Sequence, residues 1–317
     1  MSIKKNPLMI IGAHRSGTTF TGNMVSLSNE VAYIRDPFAK YRLAGLFQLK
    51  PDNFFTYINS DNSQKFVDRF SKIVNFNYSI LEEFSNMKNL KDVKSLLKDV
   101  LRFEVAKRKN KRPLLKAATA IFSAEWLDKE FGFRVLALIR HPAAFISSLK
   151  RLNITHPFQD FLNQQKLMED YLKDFECQII EYSQLQKKHS SQNVPDIIDQ
   201  GILLWNIIYS TVIKLKQRNP HWLFLKHEDI SKEPTRYFKQ IYDHFELSFT
   251  NEIEEKIVSY TSTLNPSEAK SGEWNSLKRD SASNVKNWKT RLTLEEIERI
   301  KLNTKKFADR FYSEEDW

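Results

Sequence analysis

The chain has 317 residues, of which 41% are hydrophobic, enough for one large α/β domain with its own core. Its net charge of +10 favours an anionic partner, such as a nucleotide, a nucleic acid or a membrane surface. The single cysteine, Cys177, excludes a disulfide within the chain, and no apolar run has the length of a signal peptide or a membrane span, so we expect a cytoplasmic protein.

Short apolar runs alternate with helical periodicity along the chain. They predict strands at 8–11, 32–34, 113–116, 134–139 and 222–225, and helices at 18–27, 124–131, 142–150, 158–189, 196–218, 233–245 and 293–311. A polar, periodic segment at 40–112 predicts a helical insertion, and the Ser-, Asn- and Lys-rich stretch 262–287 predicts a long loop. This alternation indicates an α/β fold, a parallel sheet with helices on both faces, within a single domain of residues 1–317.

The first predicted strand runs into a loop with the spacing of a phosphate-binding loop, G-x-x-x-x-G-K-[ST]. The loop reads Gly12-Ala13-His14-Arg15-Ser16-Gly17-Thr18-Thr19. Its amides and the following helix N-terminus would point at an anion, which predicts a P-loop-type fold. The lysine position holds Thr18, however, and the cation lies within the loop at Arg15. The clearest strand, 134–139, is followed by Arg140 and not by a carboxylate that could hold magnesium.

These residues resemble the sulfotransferases that use 3′-phosphoadenosine 5′-phosphosulfate (PAPS), in particular their carbohydrate and bacterial branches. In that family the first loop binds the 5′-phosphosulfate and carries a basic residue before Ser-Gly-Thr-Thr, which is Arg15 here. An Arg at the end of an apolar strand and a Ser eight residues later bind the 3′-phosphate, and Arg140 and Ser148 match them. His141 departs from the Asp or Asn that the family often has. The segment 284–289 resembles the loop that closes over the donor, which makes Lys278, Arg279 and Lys286 candidate donor contacts.

The same resemblance implies residues for the chemistry. Lys116 is similar to a family lysine that contacts the transferring group, whereas Ala118 stands where cytosolic members carry a histidine base. Asp36, in Arg35-Asp36-Pro37-Phe38, resembles the Glu of a Glu-Pro pair that is thought to act as base in carbohydrate and bacterial members. We therefore expect Asp36 to be the general base, with His14 and His156 as alternatives. The Glu228-Asp229 pair resembles a conserved family segment and is interpreted as structural.

The resulting prediction is in-line transfer of a sulfuryl group from PAPS to an acceptor hydroxyl, that of a carbohydrate or glycolipid, without a metal. Two alternatives remain open at this point. A P-loop kinase would need a lysine near Thr18 and a magnesium carboxylate, and a non-catalytic nucleotide-binding protein on the same fold is compatible with Ala118. No nucleic-acid recognition motif supports a nucleic acid as partner. The 40–112 insertion is a candidate lid over the acceptor site.

Overall fold

A five-stranded sheet organises the computed structural model, which describes residues 6–40, 51–77, 90–187, 196–266 and 277–317. The strands are β1 (Leu8–Gly12), β2 (Val31–Arg35), β3 (Arg112–Lys116), β4 (Arg134–Ile139) and β5 (Leu223–Lys226). Their order in the sheet is β2-β3-β1-β4-β5, and β3 pairs in parallel with both β1 and β2. The predicted class, an α/β fold with a parallel sheet of the P-loop type flanked by helices, is confirmed.

The strands form where the sequence is apolar without interruption. Every residue of β1 and β3 is buried, and only the first residue of β4 is partly exposed. A parallel strand covered on both faces needs such a continuous run, since neither side of it meets water. The register places Leu8 opposite Leu114 and Ile10 opposite Lys116, so β3 ends two residues before the end of β1.

Helices occupy most of the remaining described chain. They are α1 (Thr18–Val25), α2 (Gln64–Val74), α3 (Leu90–Arg108), α4 (Ala124–Phe131), α5 (Pro142–Leu152), α6 (Gln159–Leu162), α7 (Gln165–Leu167), α8 (Glu176–Lys187), α9 (Ile197–Arg218), α10 (His227–Lys232), α11 (Pro234–His244), α12 (Asn251–Thr261), α13 (Trp288–Arg291) and α14 (Leu294–Ala308). Short 3₁₀ turns lie at Ile121–Ser123, Lys173–Phe175, Ser283–Lys286 and Glu314–Asp316, and a π turn lies at Met168–Leu172. No helix in the described part of the chain is long and apolar enough to cross a bilayer.

The chain divides into two compact units. The first comprises Met1–Gly12, Thr18–Ala137 and Ile241–Phe249. Within it, buried Tyr242 donates a hydrogen bond to the carbonyl oxygen of Met24 at 2.8 Å, and buried Arg112 donates to that of Phe245 at 2.5 Å, so the 241–249 segment is tied to the strands and to α1.

The second unit comprises Ala13–Gly17, Leu138–Gln240 and Thr250–Trp317. Its centre is α9, whose side chains are buried along most of its length. The helix packs closely on α5, because a Cβ on Gly201 would lie 3.0 Å from a side-chain carbon of Ile146. A capping box opens α14, with Thr293 and Glu296 each bonding the other's backbone.

One predicted helix, 158–189, is wrong as a continuous element. In its place α6, α7, a π turn, a 3₁₀ turn and α8 follow one another. Gln164 explains the first break, because its side-chain amide takes the carbonyl of Asp160 at 2.9 Å while its backbone N–H donates to Phe161. A side chain that takes the i−4 carbonyl occupies the acceptor that the same residue's backbone N–H would use in an α-helix. Gln164 accordingly has a non-helical backbone, with φ of −126° and ψ of 78°. Residues 188–189 of this prediction, 41–50 and 78–89 of the insertion, and 267–276 of the long loop lie outside the described residues.

Candidate active site

The loop after β1 has the backbone of an anion-binding turn. Gly12 and Gly17 have φ of 152° and 81°, and Arg15 between them has φ of 68°. The Ser16 N–H donates to the carbonyl of Ala13 at 3.1 Å, which closes the turn. Gly17 is needed for space as well as for φ, since a Cβ there would lie 2.7 Å from Cε1 of His227. Thr18 follows, buried, and Thr19 is exposed at the start of α1.

The two predicted donor-binding motifs meet in the second unit. Arg15 donates from Nε to the Ser148 hydroxyl at 3.0 Å, and the Arg140 guanidinium donates to the carbonyl oxygen of Arg15. Burial, and after it the charges of Arg140 and Arg151, lower the pKa of Arg15 to about 10. Three guanidinium groups therefore share one region, a concentration of like charge that an anionic ligand would relieve.

The Arg140 guanidinium has an N–H that could donate to such an anion. It is half-buried at the end of β4, and among the described residues its buried Nε has no hydrogen-bond partner. Burial lowers the pKa of Arg140, and the nearby carboxylate of Glu228 opposes that shift. A buried guanidinium N–H without an acceptor is costly, so the arrangement fits a phosphate oxygen at this position.

The backbone of Arg140 is fixed by α9. Its N–H donates to the Tyr209 hydroxyl oxygen at 2.7 Å, and its carbonyl accepts from Nε1 of Trp205 at 3.0 Å. Both aromatic side chains are fully buried, and their rings stack at 4.4 Å. Sequence reasoning missed these two residues, because they lie 69 and 65 positions away from Arg140 in a helix with no motif.

Glu228 supports the next turn. Its carboxylate accepts from the N–H of His141 and from the hydroxyl of Tyr312, both at 3.0 Å. Burial raises the pKa of Glu228, and Arg140 opposes that shift. The contacts agree with the structural role expected for Glu228, whereas Tyr312 carried no signal in the sequence.

Lys286 lies close to the donor motif. The Ser283–Lys286 turn packs on α10, and Trp288 behind it stacks on His141 with ring centroids 5.2 Å apart. Burial lowers the pKa of His141 to about 3; the charge of Asp316 opposes that shift, and nearby cations, Lys286 first among them, add to it. His141, which replaces the Asp or Asn that the family often has, is therefore a neutral histidine packed on aromatic rings.

Arg279 has a different set of contacts. Its N–H donates to the carbonyl of Tyr260 at 3.0 Å, and its guanidinium donates to the carbonyl of Lys278 at 2.5 Å. The Lys278 ammonium lies 5.8 Å from the centre of the Tyr260 ring. These contacts anchor the segment to the end of α12, and the donor contact expected of Arg279 stays a prediction.

In the first unit, Asp36 and Lys116 form an ion pair at the ends of β2 and β3. The Asp36 N–H also donates to the carbonyl of Lys116 at 2.7 Å, and Asp36 has φ of 44°, in the left-handed region. The Lys116 side chain is 5% exposed and that of Asp36 is 19% exposed. Burial lowers the pKa of Lys116, and the charge of Asp36 opposes that shift. Arg35 lies 3.9 Å from the same carboxylate, so two cations face one acid.

The two alternative bases are less suited to the task. Burial, and then Arg15, lower the pKa of His14 to about 4, and its ring meets Phe145 edge to face at 5.4 Å. His156 is buried between Phe158 and Phe161, at ring distances of 5.4 and 4.6 Å. Aromatic packing of this kind is typical of a core histidine.

Solved structures similar to this chain include several sulfotransferases. Among solved structures, the sulfotransferase domain from the Synechococcus PCC 7002 olefin synthase is 15% identical, with 99% of this chain and 98% of that chain covered at a TM-score of 0.49. Mouse sulfotransferase SULT7A1, solved in complex with PAP, is 11% identical, with 99% and 88% covered at 0.45. Sulfotransferase STF9 from Mycobacterium avium is 14% identical, with 99% and 78% covered at 0.45.

The family model is more decisive. No curated protein sequence matches the chain. The model of the sulfotransferase domain, however, matches residues 5–311, nearly the whole sequence. The match confirms the predicted enzyme class and sulfuryl donor, and it argues against the kinase alternative. The chain belongs to the sulfotransferase domain family and is a PAPS-dependent sulfotransferase.

Proposed function

We propose that this sulfotransferase acts on a hydroxyl group of a carbohydrate or glycolipid, with the Asp36 carboxylate as general base. The observation that carries the proposal is the Asp36–Lys116 pair at the carboxyl ends of two neighbouring parallel strands, β2 and β3. Ligands of such sheets bind at the carboxyl ends of the strands. Ala118 leaves no histidine at the base position of cytosolic members, and a carboxylate base beside an arginine-containing loop is the pattern of the carbohydrate branch.

The donor would be held by the residues that the two motifs identify. The loop amides, Arg15, Thr18 and Thr19 would bind the 5′-phosphosulfate, with Gly12 and Gly17 allowing the close backbone approach. Arg140 and Ser148 would bind the 3′-phosphate. The Arg140 Nε, which has no hydrogen-bond partner in the described part of the chain, supports this role. Lys286 and Arg279 are the candidate contacts from the C-terminal part of the chain.

The reaction then needs one proton acceptor and one source of positive charge. The acceptor oxygen attacks sulfur, the bond between sulfur and the 5′-phosphate oxygen breaks, and the hydroxyl proton passes to Asp36. The products are the sulfate ester and adenosine 3′,5′-bisphosphate (PAP). Lys116 has a second task in this scheme, because its ammonium can neutralise charge on the sulfonate oxygens. While the two side chains are paired, the Lys116 ammonium occupies the carboxylate that would have to accept the proton. We therefore propose that Lys116 exchanges Asp36 for the sulfonate when the donor binds.

Two wider roles belong to the same proposal. The chain would work as a single catalytic domain over residues 1–317, which the extent of the family match, 5–311, supports. The 40–112 insertion, which includes α2 and α3, would contribute to the acceptor site as a lid.

The test is a direct acceptor assay. The purified chain is incubated with PAPS labelled in the sulfuryl group and with matched panels of sugars, glycolipids and phenols. We expect label to pass to a sugar or glycolipid hydroxyl, and Asp36→Asn to slow that transfer by roughly a hundredfold or more while PAP still binds. Transfer to phenols alone would overturn the acceptor class, and normal transfer by Asp36→Asn would overturn the base.

A further inference from the structure

The outward side of α3 carries an apolar stripe. Leu97, Leu101 and Val105 follow one another at intervals of four residues and are 57%, 68% and 48% exposed. Residues four apart lie on the same side of a helix, so the three side chains form one continuous strip. The opposite side of α3, with Leu96, Phe103 and Ala106, is buried in the first unit. Among the described residues, the helix is thus apolar on two sides, and only one of these sides is buried.

Cations border this stripe. The exposed basic residues of α3 and the turn after it are Lys94, Lys98, Arg102, Lys107, Arg108 and Lys109. Over the side chains described between 93 and 110, the only exposed acid is Glu104. Asp99 is half-buried and pairs with Arg102 at 3.0 Å. By helical spacing, Lys98, Arg102 and Lys109 lie along one edge of the stripe, and Lys94 and Arg108 lie at its two ends. The other edge carries Glu104 and Lys107, so the surroundings of the stripe are positive overall.

This combination selects one kind of partner. A face that met only water would gain nothing from three large apolar side chains in a row. An apolar strip bordered by Lys and Arg is typical of helices that lie in the surface of an anionic membrane, where the apolar groups enter the acyl boundary and the cations meet lipid headgroups. A protein partner would have to present an apolar groove with an acidic rim to match the same surface.

We propose that α3 docks this sulfotransferase on an anionic lipid bilayer through Leu97, Leu101 and Val105, with the surrounding lysines and arginines on the headgroups. The inference goes beyond the proposed function, because it depends on the outer face of α3 and on neither Asp36 nor the identity of the acceptor.

The experiment measures binding of the full chain to vesicles that contain no acceptor. Co-sedimentation is compared between phosphatidylcholine vesicles and phosphatidylcholine vesicles with phosphatidylserine. We expect binding to the anionic vesicles that is at least about tenfold stronger than to the neutral ones, because each cation near the surface adds to the attraction. Equal binding to the two, or no binding to either, would overturn the proposal.

Two pairs of substitutions test the apolar stripe and the surrounding cations separately. Leu97→Ser with Leu101→Ser removes the apolar part, and Lys94→Glu with Lys98→Glu reverses part of the charge. Each pair should lower vesicle binding about tenfold or more. The matched controls are Leu302→Ser on α14, where the leucine is 75% exposed, and Lys129→Glu on α4, and both should bind as the wild type does. Unchanged melting and PAP affinity would establish that the variants are folded.

Two further outcomes would count against docking of α3 on a membrane. If only the charge variants lost binding, the stripe would not enter the bilayer and the docking as stated would be wrong. If Leu97→Ser with Leu101→Ser bound vesicles normally but changed the oligomeric state in light scattering, the stripe would belong to an interface between copies. Because the vesicles carry no acceptor, neither result depends on whether the carbohydrate or glycolipid assignment holds.

Discussion

Removing the charge of Asp36 tests both the chemistry and the energetics of the ion pair. Asp36→Asn keeps the size of the side chain, and asparagine tolerates the left-handed backbone at this position, where φ is 44°. The variant leaves the Lys116 ammonium, whose side chain is only 5% exposed, without its carboxylate. Loss of one partner from a buried pair costs about 3–5 kcal/mol, so we expect a loss of stability near the lower end of that range for this partly exposed acid.

Substitution of the other member of the ion pair, Lys116, is the matched control. Lys116→Met leaves a carboxylate that is 19% exposed and has Arg35 at 3.9 Å, so water and a second cation can compensate it in part. We expect a cost of about 1–2 kcal/mol, smaller than that of Asp36→Asn. Urea denaturation of the wild type and both variants measures the difference. An equal or larger loss in Lys116→Met would refute the reasoning from burial.

The pH dependence of Asp36→Asn has a definite sign. Burial lowers the pKa of Lys116 in the native state from 10.5, and the substitution removes the carboxylate that opposes the shift. The unfolded chain then binds a proton that the native state lacks, so the stability of the variant should rise with pH from the lowered pKa of Lys116 up to 10.5. The stability measured at about pH 9 should therefore exceed that at about pH 7 by more in Asp36→Asn than in Lys116→Met.

The same variant tests the role of Asp36 in catalysis. A general base acts only as the proton leaves, so turnover should fall by roughly a hundredfold or more while the dissociation constant of PAP stays within a few-fold. Single-turnover transfer from labelled PAPS and calorimetry with PAP provide the two numbers. Near-normal turnover would remove Asp36 from the mechanism and direct attention to His14.

Three further predictions concern the donor site. Arg140→Ala should weaken PAP by about 2–4 kcal/mol and AMP far less, since only PAP has the 3′-phosphate; equal losses in calorimetry would contradict the assignment. Gly17→Ala should abolish PAP binding, because the added Cβ would meet the His227 ring in a backbone with φ of 81°, and near-normal affinity would show that the loop can rearrange. Sulfuryl transfer should persist in excess EDTA, because Arg140 follows β4 where a magnesium carboxylate would stand; full loss with recovery on adding magnesium would be evidence against a metal-free step.

The sheet could be predicted from the sequence because its strands are simple. A parallel strand buried on both faces has an uninterrupted apolar run, and the predicted 134–139 strand agrees with β4 at both ends. The 158–189 region could not be predicted in the same way. Its apolar residues suit a helix, but the break depends on which carbonyl the Gln164 side chain takes, and periodicity carries no information about that choice.

The residues of the candidate site also differ in whether the sequence can predict them. Arg15, Arg140 and Ser148 could be predicted as donor contacts because each lies at a fixed distance from a strand end or a glycine. The groups that hold Arg140 in place, Trp205 and Tyr209, are residues of a long buried helix and have no such spacing. Their function arises only when α9 packs beside the end of β4, so no local pattern could point to them.

The loop that contains Arg15 and the Asp36–Lys116 pair share one feature, a strained backbone. Arg15 and Asp36 both adopt positive φ, a conformation that costs a residue with a side chain about 1–3 kcal/mol and persists only where its surroundings enforce it. In each case one restraint comes from another residue of the proposed mechanism. The carbonyl of Arg15 accepts from the Arg140 guanidinium, and the N–H of Asp36 donates to the carbonyl of Lys116. Arg140, the proposed 3′-phosphate ligand, therefore also holds the loop in its strained form. Its removal should weaken the donor for two reasons, whereas loss of the Lys116 side chain leaves the backbone restraint on Asp36 intact.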